Sequence, residues 1–218
     1  MQARLKEIIL KPEYIEETVA LLLKMHSLVH AAVVYGGGQP TYLDEVVSGL
    51  TELAFRTMPT KKDVTVAWDI WHITRIEDLT ANILIADGEQ VLNDAWQKRL
   101  GVVVKDTGNA MTDEEIIAFS NAIDQDALLE YRAAVGGRTR EILSSLTVSS
   151  LQRKMRKDQL DRIYNEGGVT EHPQSNWLLD FWGKKTVAGL CQMPITRHQI
   201  VHLNDCVKLQ AKCRKIKG

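Results

Sequence analysis

Three of the six histidines in this 218-residue sequence stand where a helix would ordinarily carry an apolar side chain. His198 and His202 are four residues apart in TRHQIVHLND, a spacing that places both imidazoles on one face of a helix. His72 lies between Trp68 and Ile76 on the apolar stripe of another helix. A buried neutral imidazole must find partners for two ring nitrogens, or its burial costs several kcal/mol. The three histidines therefore predict a metal site built from two helices.

The number of ligands decides what chemistry such a site can perform. An imidazole nitrogen binds zinc at about 2.0–2.1 Å, so two rings one helical turn apart can share an ion. Three neutral imidazoles leave one or two coordination positions open, and an open position suits catalysis, whereas structural zinc sites usually have four protein ligands. Imidazole also serves nickel, copper and iron, so the residues alone do not select the ion. The alternative is that all three are core histidines with ordinary hydrogen-bond partners.

A second pair, His26 and His30, is also spaced by four residues, on or near the core stripe of the first long helix. These two side chains could complete the metal site, orient a bound water, or act as a base. The alternative is a pair of histidines with protein partners and no chemical role. His172 precedes Pro173 in a predicted loop, and no function is expected of it.

Charged residues near the proposed ligands could support them. Arg75, close to one helical turn after His72, could sit at the mouth of the site and hold a carboxylate substrate, or could form a surface salt bridge. Asp69 and Asp205 each lie three residues from a proposed ligand, so either could accept the second ring N–H of that ligand and fix its tautomer. Their alternative is a solvated carboxylate. His26, His30 and Arg75 are the candidates for a catalytic role, and none is assigned one.

The aromatic and sulfur side chains near the proposed ligands each have two possible roles. Trp68 and Trp71 could wall a substrate pocket or pack in the core. Cys206, one turn past His202, could be a thiolate ligand, but a small buried apolar residue is the more common role of such a cysteine.

Helical periodicity dominates the chain, and convincing strand alternation is absent from it. The pattern predicts an all-α protein with long helices over residues 12–35, 61–87, 112–146 and 194–215 and shorter ones over 41–55, 91–100, 158–166 and 176–190. Thr112 and Glu115 have the spacing of a capping box, and a break is expected near Asp124. Residues 102–111 are expected to form a loop. The pair Gly136–Gly137 inside a helical stretch could mark a close helix crossing.

The composition is that of an ordinary globular protein. Hydrophobic residues make up 44% and charged residues 25%, which fits one domain over residues 1–218. A net charge of −1 gives no reason to expect nucleic acid or an acidic membrane as partner. No apolar run is long enough to cross a bilayer, and the first residues do not read as a signal peptide. Three cysteines without a CxxC spacing favour a reducing, cytoplasmic location.

Together the segments WDIWHITRIEDL and TRHQIVHLND, with WLLDFWGKKTVAGL before the second, resemble the DinB/YfiT superfamily of helical bundles over about Ile9 to Lys212. The resemblance implies a four-helix core with additional short helices, a homodimer, and zinc or nickel bound by His72, His198 and His202. Zinc is expected ahead of nickel. The extra histidine pair and the helices within residues 89–120 and 158–190 depart from the family pattern.

Related members look like thiol transferases or thiol-dependent isomerases that use a low-molecular-weight thiol. The resemblance therefore implies a metal-dependent enzyme that transfers a thiol to a small electrophilic substrate, with hydrolysis as the second choice. The alternative is a binding or stress-response bundle without catalysis, in which the metal is structural or absent.

Overall fold

The fold is helical throughout the described part of the chain. The computed structural model describes residues 1–216, where the only strand-like pairing is an isolated antiparallel bridge between Lys154 and Thr186. The expected all-α class is confirmed. Within the same residues no helix is both long enough and apolar enough to cross a bilayer.

The helices follow one another with short connections. In chain order they are α1 (Gln2–Ile8), α2 (Ile15–Val29), α3 (Tyr42–Val47), α4 (Glu52–Arg56), α5 (Val66–Asp78), α6 (Asp94–Leu100), α7 (Asp113–Ala122), α8 (Gln125–Ser144), α9 (Val148–Gln152), α10 (Lys157–Asn165), α11 (Pro173–Gly183), α12 (Val187–Gln192) and α13 (His198–Ile216). Two π-helical segments adjoin them, Leu79–Ile85 directly after α5 and Met193–Arg197 directly before α13. Short 3₁₀ turns cover Pro12–Tyr14 and Ala32–Tyr35.

Helix α5 is the centre of the fold. It packs against α8 on one side and α13 on another, and α2 also contacts both of those helices. From residue 66 to residue 85 every side chain except that of Trp68 is buried. A helix that is surrounded in this way lies inside the protein rather than on its surface. His72 lies between the two apolar clusters of the core, because Ile73 belongs to one and Ile76 to the other.

Several helices begin or end at residues other than those predicted, because local interactions override the apolar periodicity. The first long helix stops at Val29, since His30 adopts an extended backbone, and a 3₁₀ turn follows. The segment after Thr41 divides into α3 and α4 around Gly49, which has a φ of +70° that favours glycine. Helix α5 begins only after Thr65, whose hydroxyl accepts from the backbone N–H of Trp68.

Other differences concern short helices. The predicted helix over residues 176–190 is two helices, α11 and α12, and α9 lies between the helices predicted over residues 112–146 and 158–166. Helix α1 at the amino terminus was not expected from the pattern.

The capping signals in the second half of the chain are confirmed. Thr112 and Glu115 form the capping box at the start of α7. Asp124 breaks the helical stretch as expected, because its side chain accepts from the backbone N–H of Ala127 and so begins α8. The loop over residues 102–111 is present and lies against α5.

Candidate metal centre

Two helices bring His72, His198 and His202 together. His72 comes from α5, and the other two come from successive turns at the start of α13. The ring centroids lie 4.5 to 5.1 Å apart, and one ring nitrogen of each residue lies within 4.8 Å of the others. Nε2 of His72 is 3.3 Å from Nε2 of His198. The convergence that the spacing predicts is therefore present, and we call these three residues the histidine triad.

Hydrogen bonds on the outer side of the rings determine which ring nitrogen turns its lone pair toward the other two histidines. Nδ1 of His72 lies 2.8 Å from the carbonyl oxygen of Thr107 and must donate to it, because a carbonyl can only accept. The neutral ring then has an unprotonated Nε2. Nδ1 of His202 donates in the same way to Oδ1 of Asp69 at 2.7 Å. Such outer partners orient a metal ligand and raise its basicity.

Burial keeps the inner rings neutral. Burial and the neighbouring His202 lower the pKa of His72 to about 3, although the hydrogen bond that His72 donates to the Thr107 carbonyl acts in the opposite direction. Burial also lowers the pKa of His198, and the neighbouring rings add to the effect. A metal ion needs the deprotonated imidazole, so the environment prepares both rings for coordination at neutral pH.

The donor set fits a divalent cation. Three imidazole nitrogens converge, two of the rings have their second nitrogen held by an acceptor, and Nδ1 of His198 is buried without a hydrogen-bond partner. Without an ion, the lone pairs of His72 and His202 compete for the single N–H that His198 can offer. An ion would accept the inward lone pairs of all three rings at once.

Of the two tryptophans of α5, Trp71 lines no cavity, whereas Trp68 lines one together with Asp69 and His202. The indole of Trp68 stacks on His72 with ring centroids 4.7 Å apart and an angle of 7° between the planes. Its Nε1 donates to the carbonyl of Gly108, and a Cβ at that glycine would collide with the indole. Trp68 therefore fixes the His72 ring, while Trp71 is a core residue that donates to the carbonyl of Asp106.

A cavity of about 190 Å³ opens on the other side of the triad. His72 and His198 form one end of it, with Asn109 beside them. The remaining walls are apolar, and most of them come from one face of α11 and from the π-helical turn before α13; they are Ile76, Trp177, Leu178, Phe181, Trp182, Met193 and Pro194.

Arg75 does not lie at the mouth of the site. Its guanidinium is fully buried and donates to Asp78, to the Tyr131 hydroxyl, to Gln90 and to the carbonyl of Lys105. The alternative of a surface salt bridge is also corrected, because the Asp78 carboxylate is equally buried. With its donors used in this network, Arg75 holds the loop before α6 and the loop after it against α5.

His26 and His30 form a separate buried cluster with Glu77. Nε2 of His26 donates to one carboxylate oxygen at 2.8 Å, and Nε2 of His30 donates to the other at 2.9 Å. The hydroxyl of Tyr35 lies 2.7 Å from Nδ1 of His26 and donates to it. The three ligand-type atoms are close enough to hold an ion, but each inward N–H already has a carboxylate acceptor.

Charge balance explains how an acid can be buried there. Burial alone would raise the pKa of Glu77, but His30 and His26 hold it well below its usual value. Burial lowers the pKa of His30 to about 3 despite the carboxylate beside it. Burial lowers the pKa of Arg132 to about 10, although the charge of Glu77 acts in the opposite direction, and Arg132 is therefore protonated at neutral pH. The cluster is an ionised carboxylate that accepts from two imidazoles, of which burial keeps His30 neutral.

Helix geometry keeps this cluster apart from the triad. Glu77 follows His72 by five residues, which turns its side chain about 140° around α5 at 3.6 residues per turn. The partners of His26 and His30 are accordingly Glu77 and Tyr35, and the structure does not bring these histidines into the triad.

Of the two aspartates expected near the ligands, only one supports a ligand. Asp69 bonds His202, and the thiol of Cys206 lies 3.8 Å from its other oxygen. Asp205 points outward and pairs with Lys208. Burial raises the pKa of Cys206, with Asp69 adding to the effect, and its sulfur is not among the ligand-type atoms that converge at the triad.

Sequence reasoning missed three contributors to these sites. Thr107 and Asn109 lie in a loop whose position depends on tertiary packing, and no local pattern marks them. Glu77 did leave a signal, because it lies four residues from both Ile73 and Ala81 and so shares an apolar helix face with them. An acid at such a position needs a buried partner.

Comparison with known proteins agrees with this arrangement. A family model for the DinB superfamily matches residues 38–206, which is about three quarters of the chain. All three triad histidines lie within the match, whereas His26 and His30 lie before it. The comparison with curated proteins gives no match.

Proposed function

The chain belongs to the DinB superfamily, and we propose that it binds one divalent metal ion through His72, His198 and His202 and uses it to activate a thiol. The observation that carries the proposal is the convergence of three imidazole nitrogens, from two helices, within 4.8 Å. Zinc is the proposed ion, because an all-imidazole set with a vacant position is typical of catalytic zinc. Nickel is the second choice, since imidazole also suits it.

The ion would supply a positive charge that lowers the pKa of a thiol or water placed beside it. The residues of the chain would orient the ligands and exclude water. Thr107 and Asp69 hold two rings in the tautomer that turns a lone pair inward. Trp68 covers the face of His72 and limits its rotation. The apolar cavity at His72 and His198 keeps a reactant out of bulk water.

A thiol is favoured over water because of what the cavity lacks. Its lining, among the residues that the structure describes, contains no carboxylate that could take a proton from water. The cavity on the His202 side does have carboxylates, but each is paired with another side chain, namely Asp69 with His202, Asp205 with Lys208 and Asp63 with Lys212. A free thiol has a pKa of about 8.5 and needs little help to ionise near neutral pH. Water, with a pKa of about 15.7, needs far more. Hydrolysis is therefore the second proposed reaction.

In the proposed reaction the thiol sulfur forms a bond to an electrophilic carbon of a small substrate. The bond from that carbon to its leaving atom breaks, and the thiol proton passes to that atom or to solvent. A low-molecular-weight thiol is the proposed co-substrate. Nothing in this step is oxidised or reduced.

The first experiment measures metal binding. Chelator-treated protein is titrated with Zn²⁺ and Ni²⁺ by calorimetry, and the titration is repeated with His198→Ala and with His172→Asn as a matched control. His172 is exposed, and its ring nitrogen caps α11, a role that asparagine can take over. One equivalent should bind to the wild type and to the control, and His198→Ala should bind at least a hundredfold more weakly. Equal binding by all three proteins would remove the triad from the proposal.

The second experiment tests catalysis with zinc-loaded protein. Small thiols and water are offered in turn against a panel of electrophiles. Thiol consumption that His198→Ala abolishes supports the transferase, and hydrolysis without thiol supports the second choice. If zinc binds and raises the melting temperature but no electrophile reacts, the non-catalytic bundle with a structural metal replaces both.

A further inference from the structure

The cavity beside the triad has a polar end and an apolar end. The polar end consists of His72, His198 and Asn109. Away from them the lining is aromatic or aliphatic, and none of its side chains carries a formal charge. Small-molecule sites have this character, since apolar walls supply affinity and a few polar groups fix orientation.

Helix α11 builds most of the apolar end. Trp177, Leu178, Phe181 and Trp182 repeat at a helical spacing and so share one face. Leu178 and Trp182 are buried at the base of the cavity, whereas Trp177 is 48% exposed at its rim. The rings of Trp177 and Phe181 meet edge to face with centroids 5.7 Å apart. A large aromatic ring left exposed beside a cavity is apolar surface that a ligand can cover.

Asn109 is oriented by the same loop that orients His72. Its carbonyl oxygen accepts from the hydroxyl of Thr107 at 2.7 Å, and the backbone carbonyl of Thr107 holds the His72 ring. With that oxygen occupied, the amide nitrogen of Asn109 is the group that a ligand can use. It is a donor, so it suits an acceptor oxygen placed next to the triad.

The size of the cavity limits what it can hold. Its 190 Å³ is below the ~300–1,000 Å³ of pockets for drug-sized molecules. It is somewhat above the ~150 Å³ of an apolar cavity that accommodates benzene. One ring or a branched aliphatic group fits, and a second fused ring would protrude past Trp177.

We propose that this cavity binds the uncharged apolar arm of the electrophilic substrate, a single aromatic ring or compact aliphatic group joined to an acceptor oxygen that Asn109 holds beside the triad. The claim that the bound molecule is a substrate rests on the proposed function. The claim that the cavity binds such a molecule depends on the cavity alone, so the two claims can be tested separately.

The test uses the full chain in chelator-treated and zinc-loaded forms, with binding measured by calorimetry. Benzamide supplies the ring and the acceptor oxygen, acetamide lacks the ring, and 4-carbamoylbenzoate adds a negative charge at the far end. Benzamide should bind both forms of the protein. The other two probes should bind at least tenfold more weakly, because one leaves the apolar walls uncovered and the other buries a charge.

Three variants locate the binding. Met193→Trp should fill the cavity, and Trp177→Ala should remove its rim, so each should weaken benzamide binding at least tenfold. Asn109→Ala should weaken benzamide but leave toluene binding unchanged, since toluene has no oxygen. Tyr164→Ala, which removes another partly exposed aromatic ring away from the cavity, is the control and should change nothing.

Each outcome decides one of the two claims. If benzamide binds as expected while no metal binds, the cavity assignment stands and the metal-dependent function falls. If zinc binds at the triad but benzamide does not bind, or binds Met193→Trp and Trp177→Ala as well as the wild type, the cavity assignment is overturned. Equal binding of 4-carbamoylbenzoate would also overturn it.

Discussion

Oδ1 of Asp69 lies 2.7 Å from Nδ1 of His202, so a carboxylate on α5 orients a proposed metal ligand on α13. Asp69 is almost fully buried, and burial raises its pKa against the opposing effect of His202. A carboxylate is not placed in such a position without a partner that requires it. The hydrogen bond links the two helices that carry the triad.

Asp69→Asn should therefore weaken metal binding by about 10–100-fold, the usual effect of removing an outer partner of a metal-bound histidine. Asparagine keeps the size of the side chain but loses the charge that favours the Nδ1–H tautomer of His202. The measurement is a zinc titration of chelator-treated protein. Asp205→Asn is the control, because Asp205 is on the same helix as His202 but pairs with Lys208 at the surface. An unchanged affinity in Asp69→Asn would contradict the assigned role.

Two neighbouring glycines in α8 should respond to alanine in opposite directions. A Cβ at Gly136 would collide with Nδ1 of His30, whereas a Cβ at Gly137 meets nothing within 4 Å. Gly136→Ala should destabilise the protein by about 1–3 kcal/mol through overpacking. Gly137→Ala should stabilise it by about 0.5–1 kcal/mol, the usual gain from replacing a glycine inside a helix. Urea unfolding measures both changes, and an unchanged stability in Gly136→Ala would contradict the close contact between Gly136 and His30.

A close contact in this part of α8 is one of the features that the sequence could predict, and the structure places it at Gly136, against the side chain of His30. Periodicity places the triad on two apolar stripes, and the spacing of His198 and His202 guarantees that their rings are neighbours. Such inferences succeed because they depend on helix geometry alone. The capping box at Thr112 and the break at Asp124 succeed for the same reason, since both are local.

Features that depend on tertiary packing were beyond the sequence. Whether Arg75 points to the surface or inward depends on Asp78 and Tyr131, and the latter is distant along the chain. The separation of His26 and His30 from the triad depends on which residue of α5 they meet. The homodimer and the cytoplasmic location stay predictions of the sequence and of the family resemblance.

The stability of the protein should fall as the pH is lowered from about 6.5 to about 3, and His30 should account for part of the loss. Burial lowers the pKa of His30 from 6.5 to about 3, so within this window the unfolded chain takes up a proton that the folded chain does not. Each such group removes about 1.4 kcal/mol of unfolding free energy per pH unit. The measurement is urea unfolding at several pH values in the presence of chelator.

His30→Asn isolates this contribution. The variant should be less stable at pH 7, but its stability should depend less steeply on pH, by up to one proton, than that of the wild type. His172→Asn should have the wild-type slope, because His172 is exposed. A variant at residue 30 with the full wild-type slope would show that His30 is not buried in its neutral form.

Gln199 should set the distance between the two triad helices. It immediately follows His198, and its amide nitrogen donates to the carbonyls of Ile73, the residue after His72, and of Pro194. Gln199→Met should therefore weaken zinc binding about tenfold or more, because small misplacements of ligands are costly. Gln210→Met on the same helix is the matched control: Gln210 is also buried and donates to a backbone carbonyl, that of Val46, away from the triad. Gln210→Met should lose about 1–3 kcal/mol of stability from its unpaired carbonyl. Gln199→Met should lose more, because it leaves two carbonyls unpaired and removes an acceptor of the buried Arg132 guanidinium. Only the change at Gln199 should alter the zinc titration, and a parallel loss of affinity in both would reduce its role to general stability.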